Sequence, residues 1–105
     1  MNVLNESNAG QTITLPLGDV VSVRLAENPT TGSTWTAPQF DETCLTLDDD
    51  RYVANAEDTV GGGGVREFAF RAVRAGQTQV RTMLKRPWED DARAQSAYGV
   101  TVIVR

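Results

Sequence analysis

The chain carries one cysteine, Cys44, and no histidine in 105 residues. A serine or cysteine nucleophile paired with imidazole is therefore excluded, as is any base, proton shuttle or metal ligand built on histidine. A lone thiol can neither close a disulfide within the chain nor furnish the Cys and His ligands that a structural zinc takes. Carboxylates remain. Asp48-Asp49-Asp50 and Asp90-Asp91 have the oxygen chemistry that calcium prefers, but their spacing fits no calcium loop. Solvated acidic turns are the simpler reading, and neither a metal nor a cofactor is expected. What is left is the chemistry of recognition, concentrated in three segments: Asn28-Pro29-Thr30-Thr31-Gly32, Gly61-Gly62-Gly63-Gly64 and Arg86-Pro87-Trp88.

In the first segment Pro29 fixes its own φ and biases Asn28 toward extended backbone. Gly32 can take a positive φ, and the Asn and Thr side chains can bond neighbouring backbone groups. This describes a stiff loop, although the same composition suits an ordinary turn between strands. The four glycines either let another surface approach the main chain closely or simply give flexibility. They form no phosphate loop, because neither Lys-Ser/Thr nor a helix follows. In the third segment Arg86 presents a planar donor fork, Pro87 stiffens the turn, and Trp88 is a large apolar ring among polar neighbours. Such a ring either folds back over the protein or is buried by a partner.

Strands must hold these segments, because a period close to two runs through the chain. It predicts seven strands over residues 12–17, 21–25, 33–37, 45–53, 65–73, 78–85 and 97–105, the fourth interrupted by the acidic run Asp48-Asp49-Asp50. Residues 89–97 could form one helical turn at most. The expected fold is all-β, an immunoglobulin-like β-sandwich of about seven strands, with residues 1–105 as one domain and residues 1–10 flexible. Trp35 opens the third strand, where such sandwiches often bury a tryptophan, and is assigned to the core. Cys44 is expected as a small, partly buried apolar residue near the fourth strand. If every strand reverses the one before it, the connections at 28–32, 54–64 and 86–96 all emerge at one end. Ten basic against 14 acidic residues give a net charge of -4, so nucleic acid is not an expected partner. No membrane span and no signal peptide are read, which predicts a periplasmic or secreted protein if a leader has been removed and a cytoplasmic one otherwise.

Taken together, Asn28-Pro29-Thr30-Thr31-Gly32, a Gly-x-Gly within Gly61 to Gly64, and Arg86-Pro87-Trp88 resemble the three signature loops of the chagasin-like inhibitors of cysteine peptidases, in the family's order and across essentially the whole chain. One position departs: the family commonly has an aromatic directly after the Gly of the first loop, where this chain has Ser33. The resemblance implies a monomeric, reversible, competitive inhibitor of papain-like cysteine peptidases and no enzyme. Asn28, Pro29, Thr30, Thr31 and Gly32 would enter the centre of the cleft, the backbone of Gly61, Gly62, Gly63 and Gly64 would line one side, and Arg86, Pro87 and Trp88 would cover the other. The alternative is a non-inhibitory immunoglobulin-like binding module of the adhesion or carbohydrate-binding kind, since a fold alone does not set a function.

Overall fold

Alternating β-branched and aromatic residues build eight strands in a computed structural model of the chain, which describes residues 2–54 and 63–105. They are β1 (Asn2–Leu4), β2 (Thr12–Leu15), β3 (Val20–Glu27), β4 (Thr34–Trp35), β5 (Leu45–Ala54), β6 (Gly64–Ala72), β7 (Gly76–Lys85) and β8 (Ser96–Val104). Two four-stranded sheets result, in the orders β1-β3-β6-β5 and β2-β8-β7-β4. Because successive residues on a strand point to opposite faces, one set per strand turns inward. Val21, Val23 and Leu25 of β3, Phe68 and Phe70 of β6, Val80 of β7 and Val100, Val102 and Val104 of β8 fill the space between the sheets. Phe40 packs edge-on against Phe70, with ring centroids 5.1 Å apart. Trp35 and Cys44 are buried in the same core, as their sequence positions predict.

The expected sandwich is present, with one strand more than expected. Residues 1–10 were expected to be flexible, yet β1 pairs in parallel with β3, from Asn2 opposite Val21 to Leu4 opposite Val23, and Leu4 is only 5% exposed. A single inward leucine and three ladder positions are too short a pattern to register as periodicity, but they suffice to cover an edge. Just beyond β1 the Glu6 carboxylate accepts the Ala26 N–H at 2.5 Å, closing the next unpaired position of β3. The extra strand leaves the alternation of direction intact. β3 and β5 both run antiparallel to β6, β7 runs antiparallel to β4 and β8, and β2 runs parallel to β8.

Two further expectations change. The third predicted strand shortens to Thr34–Trp35, because Pro38, lacking an N–H, cannot continue the ladder to β7. The acidic run does not interrupt the fourth strand. It lies inside β5 at a register shift between Leu47 and Asp49, and its carboxylates are ion-paired: Asp48 with Arg71 at 2.9 Å, Asp49 with Arg51 at 3.4 Å and Asp50 with Arg66 at 3.1 Å. Two of these partners, Arg71 and Arg66, reach across from β6, while Arg51 lies two residues along β5 itself, so the acidic run is neutralised within the sheet. Among the described residues no group of three or more His, Cys, Asp or Glu could hold a metal ion, and no helix is long and apolar enough to cross a membrane.

Candidate functional site

The segment joining β3 to β4 is a single 3-10 turn over Pro29–Thr31, with Asn28 before it and Gly32 after it. Asn28 caps the turn: its side-chain oxygen accepts the Thr30 N–H at 3.1 Å and the Thr30 hydroxyl at 2.7 Å. Its carbonyl accepts the Thr31 hydroxyl at 2.9 Å. Pro29 supplies the fixed φ of the first helical position, where a missing N–H costs nothing. Gly32 ends the turn at φ 82°, a left-handed conformation that favours glycine, and its N–H returns to the Pro29 carbonyl at 3.0 Å. The Asn28 side-chain oxygen, both threonine hydroxyls and the Gly32 N–H are thus engaged within the loop, while Pro29, Thr30 and Thr31 remain exposed at its tip.

Beneath the loop lies a polar cluster that the sequence reading did not single out. Glu27, the last residue of β3, is 3% exposed. Its Oε1 accepts the backbone N–H of Trp35 at 2.8 Å, on the far side of the loop. Arg66 grips the same carboxylate twice, Nη2 donating to Oε2 at 2.9 Å and Nε to Oε1 at 3.3 Å. The Arg66 guanidinium also reaches Asp50 at 3.1 Å and lies 6.0 Å from the centroid of the Tyr52 ring. Hydrogen bonding to Glu27, outweighing desolvation, holds Arg66 above its ordinary pKa, so the guanidinium stays charged. A second tie crosses the loop's base, where the Trp35 indole N–H donates to the Ala26 carbonyl at 2.9 Å. Ser33 is buried at the loop's end, and among the described residues its hydroxyl has no partner.

The three sequence segments meet here as far as the structure describes them. Gly61 and Gly62 lie outside the described residues. Gly63 lies against the first loop: a Cβ built on it would stand 3.3 Å from the Glu27 carbonyl oxygen and 3.6 Å from the Asn28 Cβ. Gly64 is already the first residue of β6, and a Cβ there would run into the Val53 carbonyl and stand 2.6 Å from the Tyr52 hydroxyl, so only glycine fits. On the other flank, Arg86 Nε donates to the Thr31 carbonyl at 3.4 Å. A Cβ on Gly32 would lie 3.7 Å from the Trp88 ring. Trp88 does not fold back over the sandwich: it is 75% exposed. The turn that carries it is closed by the Glu89 N–H on the Arg86 carbonyl at 3.0 Å and by Lys85 Nζ on the Glu89 carbonyl at 2.8 Å. A cleft of about 370 Å³, lined by Asn28, Thr31, Gly63 and Leu84 among others, separates the first loop from its neighbours.

The sequence did carry a signal for the cluster. Glu27 continues the inward phase of Val21, Val23 and Leu25, and Arg66 continues that of Phe68 and Phe70. Opposite charges at inward positions of two strands are expected to pair. Asp50 and Tyr52 could not be placed the same way, because the register shift in β5 changes which residues turn inward after Leu47.

A family model for chagasin family peptidase inhibitors, I42, matches residues 14–102, a stretch that contains all three segments. Amoebiasin-2 of Entamoeba histolytica is 24% identical over 106 residues, covering 100% of this chain and 86% of that protein. Chagasin of Trypanosoma cruzi is 29% identical over 90 residues, covering 81% of each. Among solved structures, the cysteine protease inhibitor EhICP2 from Entamoeba histolytica superposes with a TM-score of 0.90 at 24% identity, covering 99% of this chain and 95% of that one.

Proposed function

The chain belongs to the chagasin family of peptidase inhibitors, and from that premise we propose that it is a reversible, competitive inhibitor of papain-like cysteine peptidases that docks by one end of its sandwich. Residues 1–105 act as one inhibitor domain, as a monomer, without cofactor and without catalysing a reaction. The observation that carries this reading is the convergence of three distant segments at that end: Gly63 against Asn28, and Arg86 and Trp88 against Thr31 and Gly32.

Each segment has a role suited to its chemistry. The 3-10 turn of Pro29, Thr30 and Thr31, capped by Asn28 and closed by Gly32, is the wedge that enters the cleft beside the partner's catalytic thiol. Its internal hydrogen bonds mean that little entropy is lost on binding. They also hold the chain in a turn, whereas a peptidase attacks a carbonyl presented in a near-attack geometry along an extended substrate. Gly61, Gly62 and Gly63 bring main chain to the partner's main chain along one side, whereas Gly64, buried and flanked by Glu27 and Ala54 in the sheet, anchors the segment rather than facing the partner. Arg86, Pro87 and Trp88 cover the other side, with Trp88 as the aromatic anchor, since Trp and Arg dominate the energetics of most interfaces.

Titration of active papain with the purified chain is the direct test. The expected result is a rise in apparent KM with kcat unchanged, recovery of activity on dilution, and an inhibitor of intact mass after prolonged incubation. No inhibition at micromolar concentration would remove the reading and favour a non-inhibitory binding module.

A further inference from the structure

We propose that Glu27 and Arg66 are positioning residues for inhibition: a buried clamp that fixes the two ends of the Asn28–Gly32 loop and couples it to the strand that emerges from the glycine segment. This rests on the inhibitor reading and deepens it. The loop leaves β3 at Glu27 and re-enters the sheet region at Trp35, and a single carboxylate bridges those two points by accepting the Trp35 N–H at 2.8 Å. The same carboxylate is held from β6 by Arg66, at 2.9 and 3.3 Å. Arg66 is fixed in turn by Asp50 and by the face of Tyr52. Tyr52 occupies the space that a side chain at Gly64 would need, so the clamp and the glycine segment share one packing arrangement.

An aromatic after Gly32 would have anchored the loop by packing, but this chain has Ser33 there, a small residue whose buried hydroxyl has no partner among the described residues. The loop's own hydrogen bonds shape its tip but do not tie it to the sandwich. Ties from the sandwich to the loop include the Glu27 carboxylate on the Trp35 N–H and the Trp35 indole on the Ala26 carbonyl at its base, and Arg86 on the Thr31 carbonyl at its flank. Removing the carboxylate frees the Trp35 N–H and leaves Arg66 with Asp50 and the Tyr52 face. The loop's re-entry point then shifts relative to Gly63 and Trp88, and misplacement by about 1 Å is enough to cost a hundredfold where geometry decides.

The test compares the unsubstituted chain with E27Q and E27A, each assayed at a temperature where circular dichroism shows it folded, with R24Q as a control that breaks the Arg24–Glu67 pair, in which only the arginine is exposed. Glutamine keeps an oxygen for the Trp35 N–H but loses the charge on Arg66, whereas alanine loses both. Inhibition of papain is expected to weaken by about tenfold in E27Q and about a hundredfold in E27A, and to stay native in R24Q. Mass spectrometry after long incubation with catalytic papain is expected to show cuts between Asn28 and Gly32 in E27A but not in the native chain. In the free protein, exchange of the Trp35 amide is expected to quicken at least about tenfold in E27A. A folded E27A that inhibits like the native chain and stays uncut would overturn the proposal, even if it melts earlier. A native chain that fails to inhibit papain would instead strike the inhibitor reading, and the Trp35 amide would then decide the clamp alone, unchanged exchange in E27A overturning it.

Discussion

Trp88 leaves three quarters of its surface in water, on a turn braced by Lys85 and by the Arg86 carbonyl. A braced, exposed indole contributes little to folding and much to a partner able to bury it. Trp88→Ala is therefore expected to weaken inhibition of papain by about 2 kcal/mol or more while leaving the melting midpoint within a degree or two of native. Paired calorimetry and inhibition assays check this, and a variant that inhibits normally would remove Trp88 from the interface. The legibility of single residues followed their exposure and chemistry. Asn28, Pro29, Gly32, Arg86 and Trp88 stood out because their types are unusual where they occur. Glu27 and Arg66 did not, because a charged residue on a strand reads as solvent-facing unless its phase is followed to the end. Their partners Asp50 and Tyr52 were out of reach, since an extra residue in a strand leaves no mark that a period of two can detect.

Elements were legible in proportion to the length of their alternation. β3, β6, β7 and β8 could be read from the sequence to within a few residues, whereas β4 is cut short by Pro38 and β1 has a single inward residue. β1 nonetheless completes the sheet that carries the clamp, for it covers β3 and leads to Glu6, whose carboxylate takes the Ala26 N–H. Leu4 is the anchor, 5% exposed and in contact with the core. Leu4→Ala is expected to destabilise the fold by about 2–3 kcal/mol, the cost of a buried leucine at a site near the surface that can partly collapse. Val3→Ala, at a position more than half exposed on the same strand, is expected to cost about 0.5 kcal/mol or less. Urea titrations of the two variants separate these values, and equal, small losses would mean that β1 adds nothing to stability.

For the molecule as a whole, the alternation of strand direction places the three loops together whether seven strands or eight are counted, because the added strand precedes the others and reverses nothing after it. The same global view applies to pH. Without histidine, no imidazole titrates between about pH 5 and 8, so the stability profile is shaped at its two ends. On the acid side, hydrogen bonds from Thr43 hold the Asp41 carboxyl below its ordinary value. Its contribution is present above the unfolded pKa and is lost as pH falls through the folded one. On the alkaline side, burial first, and then the charge of Glu6, push Tyr98 from 10.0 up to about 12. The unfolded chain releases that proton near pH 10 and the folded chain retains it. Stability from this source is therefore complete below pH 10 and declines as pH rises toward 12. The Tyr98 hydroxyl is also without a hydrogen-bond partner among the described residues, so replacing it by hydrogen removes a buried polar group and breaks no bond. Tyr98→Phe is thus expected to melt at or above the native temperature at pH 7, and to lose about 1–2 kcal/mol less than native between pH 10 and 12. Melting curves collected at half-unit steps from pH 7 to 12 decide the matter, and native and variant profiles that fall in parallel would show that Tyr98 does not drive the alkaline limb.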